Sequence, residues 1–394
     1  MLKIHVSMQV VDVLETKKKA GGEMTHSFTL RFLKKITTPV MLILLCSMLW
    51  GYELIKHPKI THSEAGVKQS KLVLVKQIYD DFGPNLFFAR PIALTVDDEN
   101  SLYVFDNVLK RVFKFNSKFQ YETSFLREGR GPSEVSAGVQ ELFKIAYAPN
   151  NSINICDTLN KKLIVFSKKG KHIKDIRLDR EYAFRYYPVM DAQSNLYTIS
   201  VNGGVVDKLD TNMKIVHTFL DRRLNERFVV HMPALNKGVE WRGYLHPTLD
   251  DTYYDVINGQ DLIIYMARPS TLFLFKDKQL IQRFDIILEA GIEKIRKSVA
   301  QLPKVVPKSV LFPGYWGTMF DSFFVDKDDE RFFYLQTKRT KEQIRLYKFN
   351  IQKELVGILT ADPSLSGMVM AKKNGYFYGI DLFEGHLLYF KEGK

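Results

Sequence analysis

Asp106, Asp157 and Asp381 each end a short apolar run, and each is followed by a basic or histidine residue five positions later. Carboxylates that recur at fixed spacing could converge on an axis and hold a cation. An Asp in such a place more often accepts hydrogen bonds from its own turn, or pairs with the basic residue that follows. The recurrence favours that structural role, because one binding site does not need the same residue in several repeats.

Two loops offer more varied chemistry. Arg127-Glu128-Gly129-Arg130-Gly131-Pro132-Ser133-Glu134 combines glycines, a proline and alternating charges. Glycines let a backbone turn tightly and expose N–H groups to an anion. Arg127, Arg130 and Glu134 are therefore candidate ligand contacts, the competing reading being a turn whose Arg and Glu side chains pair with each other. Glu240–Pro247 holds Trp241, Arg242, Tyr244 and His246. There two aromatic rings could stack on a sugar or peptide while Arg and His supply polar contacts.

Catalytic signatures are missing. The chain has no His-Glu-x-x-His, no Gly-x-Ser-x-Gly and no dinucleotide fingerprint. His172, His217, His231, His246 and His386 lack ligand-like spacing. We therefore assign no catalytic residue and no metal ligand, and leave the cofactor open. Cys46 lies in an apolar segment and Cys156 in a predicted strand, where a small core residue is expected rather than a nucleophile.

These residues must be positioned by repeats. Leu102–Asp106, Ile153–Asp157 and Phe377–Asp381 are each followed by an aliphatic residue six positions after the Asp and a Phe nine after it: Phe115, Phe166 and Phe390. The spacing predicts a strand ending in Asp, a tight turn, and a second strand with alternating inward side chains. Asp97–Asn100, Pro149–Asn151 and Lys373–Gly375 supply the preceding hairpin turns. Weaker copies begin at Val189, at Tyr253 (through Asn258-Gly259) and at Phe320, giving six units.

Four-stranded units of this size match the blades of a propeller, which hide their faces by radial packing. The last unit has only three strands, and Leu72–Ile78 is an orphan at the other end that would complete it. The expectation is an all-β, six-bladed β-propeller closed by its N-terminal strand and preceded by one hydrophobic helix. An open array of hairpins or a β-sandwich is the competing architecture.

The Asp-x4-basic-aliphatic-x2-Phe pattern resembles NHL-type repeats, and Arg127–Glu134 resembles the Gly-x-Gly-Pro-Gly-Glu loop of bacterial six-bladed propellers. The resemblance covers roughly residues 71–392 and implies a secreted or membrane-attached protein, commonly a lipoprotein. Ser133 replaces the motif's last glycine, and Leu45 precedes Cys46 where a lipobox wants Gly or Ala.

Residues 36–52 carry no charge and follow Arg31, Lys34 and Lys35. A helix of that length rises about 25 Å, enough for a short signal anchor with its basic flank in the cytoplasm. A cleaved signal peptide is the alternative, although no small-x-small site follows. We divide the chain into a cytoplasmic segment 1–35 (with Met24 as an alternative start), the anchor 36–52, a polar tether 53–70 and the propeller 71–394.

The net charge of +13 is spread out, with no Lys/Arg stripe interleaved with aromatics to mark a nucleic-acid groove. Ala290–Leu302 places Ile292, Ile295, Val299 and Leu302 at helical spacing, predicting a short amphipathic helix. The reading these observations favour is a membrane-anchored, extracytoplasmic binding or scaffold module for a protein or glycan. One alternative is a metal-dependent propeller hydrolase or lyase acting at the central channel. The other is a signalling ectodomain that docks a partner through 290–302.

Overall fold

The computed structural model describes residues 61–79, 81–83, 86–136, 145–157, 159–178, 189–199, 206–220, 227–229, 242–244, 252–266, 271–288, 320–337, 343–381 and 383–393. The segment 36–52, the predicted helix 290–302, Trp241 and His246 lie outside them. Residues Pro58–Lys394 make one compact unit. All regular structure among the described residues is β, and no helix there is long and apolar enough to cross a membrane.

The main strands, in chain order, are β1 (Gln69–Ile78), β2 (Pro91–Val96), β3 (Leu102–Asp106), β4 (Arg111–Phe115), β5 (Tyr121–Phe125), β6 (Ile145–Ala148), β7 (Ser152–Asp157) and β8 (Lys162–Ser167). They continue as β9 (His172–Arg177), β10 (Val189–Met190), β11 (Leu196–Ile199), β12 (Val206–Leu209), β13 (Ile215–Phe219), β14 (Thr252–Ile257), β15 (Asp261–Met266) and β16 (Thr271–Lys276). The last are β17 (Gln279–Asp285), β18 (Phe320–Val325), β19 (Phe332–Thr337), β20 (Arg345–Asn350), β21 (Leu355–Thr360), β22 (Met368–Lys373), β23 (Tyr376–Ile380) and β24 (Leu387–Glu392).

Antiparallel meanders β2–β5, β6–β9, β10–β13 and β14–β17 form four separate four-stranded sheets. A fifth sheet has eight strands in the order β18-β19-β20-β21-β1-β24-β23-β22. Its centre is the expected closure: Leu72 to Ile78 pair antiparallel with Glu392 to Leu387, around a bulge between Leu74 and Lys76. Gln69 to Lys71 also pair parallel with Ile358 to Thr360, so β1 joins two meanders. Upstream, within the segment read as a tether, Thr61–His62 pair with Ile287–Leu288.

The sequence ruler becomes register. Leu102, Ile153 and Phe377 stand opposite Phe115, Phe166 and Phe390, and Asp106 and Asp157 stand opposite Arg111 and Lys162. At the fourth residue after each Asp the backbone takes a left-handed conformation, at Lys110 (φ 53°), Lys161 (φ 53°) and Gly385 (φ 74°). That is the turn the motif encodes.

Apolar side chains pack between sheets rather than within one sandwich. One layer joins Leu94, Leu102, Val104 and Phe113 to Ile380, Leu387 and Tyr389, and another joins Tyr103 and Val112 to Ile153 and Ile164. The first strands neighbour one another in a closed cycle, β2 to β6, β10, β14, β18, β22 and back to β2. This is the radial packing of a propeller, and neither a sandwich nor an open array produces it.

A disulfide engineered between β1 and β24 tests the closure. In a Cys46→Ser background, Val73→Cys with Lys391→Cys should cross-link on oxidation and raise stability by about 2–4 kcal/mol. The off-register pair Leu72→Cys with Lys391→Cys should not; mass spectrometry and thermal melts read both.

Candidate functional site

In each four-stranded meander the first-to-second and third-to-fourth turns lie at one end of the sheet. The second-to-third turns and the crossings to the next sheet lie at the other. Connections at the first end are tight, such as 97–101, 116–120, 258–260 and 374–375. The second end carries every long connection, including 126–144, 220–251 and 286–319. Loops on a rigid scaffold are where binding residues concentrate. Asp106, Asp157, Asp381 and the loop Arg127–Glu134 belong to this loop-bearing end.

The repeated aspartates work here as staples. Asp106 is fully buried; its Oδ2 accepts from the N–H groups of Ala89 and Arg90 (both 2.8 Å), and its Oδ1 from those of Val108 (2.9 Å) and Leu109 (2.8 Å). Asp157 accepts from Ser136 N–H and Oγ (both 2.9 Å), Asn160 N–H (3.1 Å) and Asn160 Nδ2 (2.8 Å). Asp381 accepts from Ser366 Oγ (2.8 Å) and from Phe383 N–H (2.9 Å). In all three the carboxylate ties the strand arriving from the previous sheet to the second-to-third turn. Their lone pairs are occupied by these donors, as expected of the structural reading.

The loop Arg127–Glu134 closes on itself. Glu134 Oε2 accepts from Gly131 N–H at 2.7 Å and Oε1 meets Arg127 Nη2 at 2.7 Å. The Gly131 bond, then Arg127, hold the Glu134 carboxyl below the usual carboxylate range. Gly129 has φ 152°, a conformation that L side chains rarely adopt, and a Cβ there would push Glu134 Oε2 from its place. The second sheet grips the loop from below: Lys162 Nζ donates to Gly131 O (2.6 Å) and meets Asp175 (2.8 Å), and Asn160 Nδ2 donates to Gly129 O (3.1 Å). Beside it, Lys110 is buried and donates to Asn107 Oδ1 at 3.0 Å; burial lowers its pKa against the pull of Glu128, Asp157 and Asp106. Arg130 is exposed and has no ion pair among the described residues. Of the three residues predicted here, Arg127 and Glu134 are committed to each other and Arg130 is free.

From the second candidate group, Arg242–Tyr244 form a short strand paired with Arg227–Val229, inside the connection that starts and ends at the same end of the sheets. Trp241 and His246 fall outside the described residues.

The tight-turn end carries a second Asp series that motif reading missed. Asp97 accepts from Glu99 N–H (2.9 Å), Ser101 N–H (2.7 Å) and Tyr103 OH (2.9 Å). Asp191 accepts from Gln193 N–H, Asn195 N–H and Tyr197 OH, and Asp326 from Asp328 N–H and Tyr334 OH. Burial, and then the facing Asp97 or Asp326, pushes the Tyr103 and Tyr334 hydroxyls up, so they remain proton donors. An Asp six or eight positions before a strand Tyr was the available signal. Further bonds link turn to turn: Lys373 to Asp98 (2.5 Å), Lys372 to Asp326 (2.8 Å) and Asp328 (2.7 Å), Lys327 to Asp255 (2.8 Å), and Gly375 N–H to Asp328 (2.8 Å). Among the described residues no group of three or more His, Cys, Asp or Glu is placed to hold a metal. The Cys156 thiol is buried in the core, which raises its pKa, and it makes no site.

Comparison with known proteins bears on the fold. Residues 90–234 match a family described as 6-bladed beta-propeller, in keeping with the resemblance read from the repeats. A Bacteroides fragilis NCTC 9343 protein described as exported aligns with a TM-score of 0.52 and 11% identity over 86% of this chain and 98% of its own. A member of the DUF4221 family from Bacteroides vulgatus aligns with a TM-score of 0.52 and 12% identity over 82% of this chain and 98% of its own. Virginiamycin B lyase from Staphylococcus aureus aligns at a TM-score of 0.45 and 9% identity over 82% of this chain and 99% of its own, too low to carry an argument. No curated protein sequence matches the chain.

Two substitutions test these roles. Asp106→Ala leaves four N–H groups without their acceptor and should cost about 4 kcal/mol, read by denaturant unfolding. Glu134 is depressed in the folded state, so its contribution is complete above its unfolded pKa and is lost as pH falls through the folded one. Glu134→Gln should therefore lower the melting temperature at neutral pH and flatten its acid dependence below about pH 4.5.

Proposed function

We propose that the chain is a six-bladed propeller that works outside the cytoplasm as a binding or scaffold module, held to the membrane by residues 36–52. The eight-stranded sheet reads as two blades sharing β1, which serves as fourth strand of the last. The closed cycle of first strands supports that count. The recognition surface is the loop-bearing end, and its ligand is a protein or a glycan.

The observation that carries this reading is the contrast between the two ends. At the tight-turn end, lysines and aspartates are spent on each other and on turn amides. At the loop-bearing end, aspartate staples fix the bases of connections long enough to present side chains, and Arg130 stands free above them. A fixed base with adaptable connections suits binding, since less ordering is left to be done on association. Channel chemistry would call for convergent unpaired carboxylates, whereas those at the turn end already hold cations. The fold is shared with a Bacteroides fragilis protein described as exported, which agrees with an extracytoplasmic site.

A photo-cross-linking amino acid at Arg130 should capture a partner in expressing cells, while the same group at Gln352, on a tight turn, should capture none. Adducts from Gln352 alone would overturn the assignment of the recognition end. Alkaline extraction should leave the full chain with the membrane and release a variant lacking 36–52; release of both would refute the anchor.

A further inference from the structure

Before β1 begins, the chain from Thr61 to Lys68 runs across two of the sheets as a strap. Thr61–His62 pair parallel with Ile287–Leu288, just beyond β17. The chain then turns at Gly66 (φ 77°), where Val67 N–H donates to Glu64 O at 3.3 Å. Lys68 O accepts from Ile358 N–H of β21 at 2.9 Å, and there β1 takes over.

Little holds this strap down. Ser63, Ala65, Gly66 and Lys68 are exposed, and Glu64 and Val67 are half-buried. Within 62–68 only His62 is buried, at 6% exposure, and its ring packs edge-on against Phe349 of β20 at 5.0 Å. Glu64 accepts from Tyr347 Oη at 3.0 Å and pairs with Arg345 at 2.5 Å, while Val67 rests on the core beneath β20 and β21. Two buried polar atoms of this contact have no hydrogen-bond partner: His62 Nε2 and Arg345 Nε. An orphaned buried donor or acceptor costs about 1–3 kcal/mol. The docked strap carries that penalty and an undocked one does not.

The imidazole can turn the penalty into a switch. Among the described residues, the charged or titratable groups on the elements packed around it are Glu64 on the strap, Arg345 and Tyr347 on β20, and Lys353 in the turn that follows. The first three are bonded to one another, and Lys353 Nζ lies over the Phe284 ring at 5.9 Å. Burial alone holds the His62 pKa below its ordinary value. The docked imidazole therefore takes up a proton less readily than the undocked one. Docking is unaffected above about pH 6.5, and its cost grows as pH falls below that value until the docked ring itself protonates. Protonation leaves a buried charge and a second N–H donor with nothing to accept it.

We propose that residues 61–68 form an acid-released strap, which protonation of His62 lifts from β20 while β1 stays paired with β24. Release bares Phe349 and Tyr347, both buried when the strap is docked, and frees Arg345 from Glu64. It also lets residues 61–68 extend from the propeller, over about 28 Å at full stretch. The switch depends neither on what precedes residue 61 nor on the ligand of the loop-bearing end.

Nitroxide labels at Ser63→Cys and Gln352→Cys test it by their separation, in the full chain with Cys46→Ser in detergent, with near-UV circular dichroism following the propeller. Between about pH 7.5 and about pH 5 the short-distance population should fall several-fold while the near-UV signal holds. His62→Phe, which fills the same place without a titrating proton, should keep the short distance at both ends of that range, and His62→Lys should lose it at both. Glu64→Gln should weaken docking throughout and leave the pH midpoint where it was. A wild-type distance distribution that stays unchanged across the range would overturn the proposal. Release that persists in His62→Phe, or that comes only with loss of the near-UV signal, would overturn it equally.

Discussion

A sheet that ends at an exposed strand edge leaves its N–H and C=O groups open to unwanted pairing. This chain covers the edge of its last meander by bringing β1 back to β24. Six backbone positions from Leu72 to Ile78 register against Leu387 to Glu392, and the start of β1 lies against β21 as well. Buried Leu72 and Ile78 carry their side chains into two different interfaces, one with Phe324 and Tyr334 and one with Leu94 and Phe113. The remaining arrangement presumes this pairing, because the first strands can neighbour one another in a cycle only if the last unit meets the first.

Given closure, the two ends of the sheets diverge in chemistry. At one, short turns are stitched by Asp–Tyr bonds and by lysine–aspartate pairs that cross from sheet to sheet. At the other, buried aspartates pin only the bases of the connections. The first arrangement uses its polar groups for rigidity, and the second leaves arginines and apolar tips unspent. The proposed binding at the loop-bearing end rests on that division. The same turn that makes Asp157 a staple also exposes Leu159.

Much of the fold was legible in the residues. The nine-residue spacing from Asp to Phe translated directly into cross-strand register, and even the weak units starting at Val189 and Phe320 became strands where the alternation suggested. The orphan strand was assigned its partner because a three-stranded last unit needed one. The turn-end Asp series was less visible, because its partner is a Tyr six residues away in two repeats and eight in a third, so no fixed local spacing marks the bond. The pairing of Thr61–His62 with Ile287–Leu288 was invisible for the same reason. Arg127, Arg130 and Glu134 looked alike as charged loop residues, yet two of them neutralise each other and one does not.

Spacing within a strand or a hairpin is a local property, so the repeats, their turns and the three stapling aspartates Asp106, Asp157 and Asp381 could be read from the residues alone. The sequence also carried the uncharged segment and its basic flank. Which charges are spent and which apolar side chains stay in water were decided only by tertiary structure. Those outcomes depend on groups hundreds of residues apart meeting around a closed ring, and no local pattern encodes the distance between them.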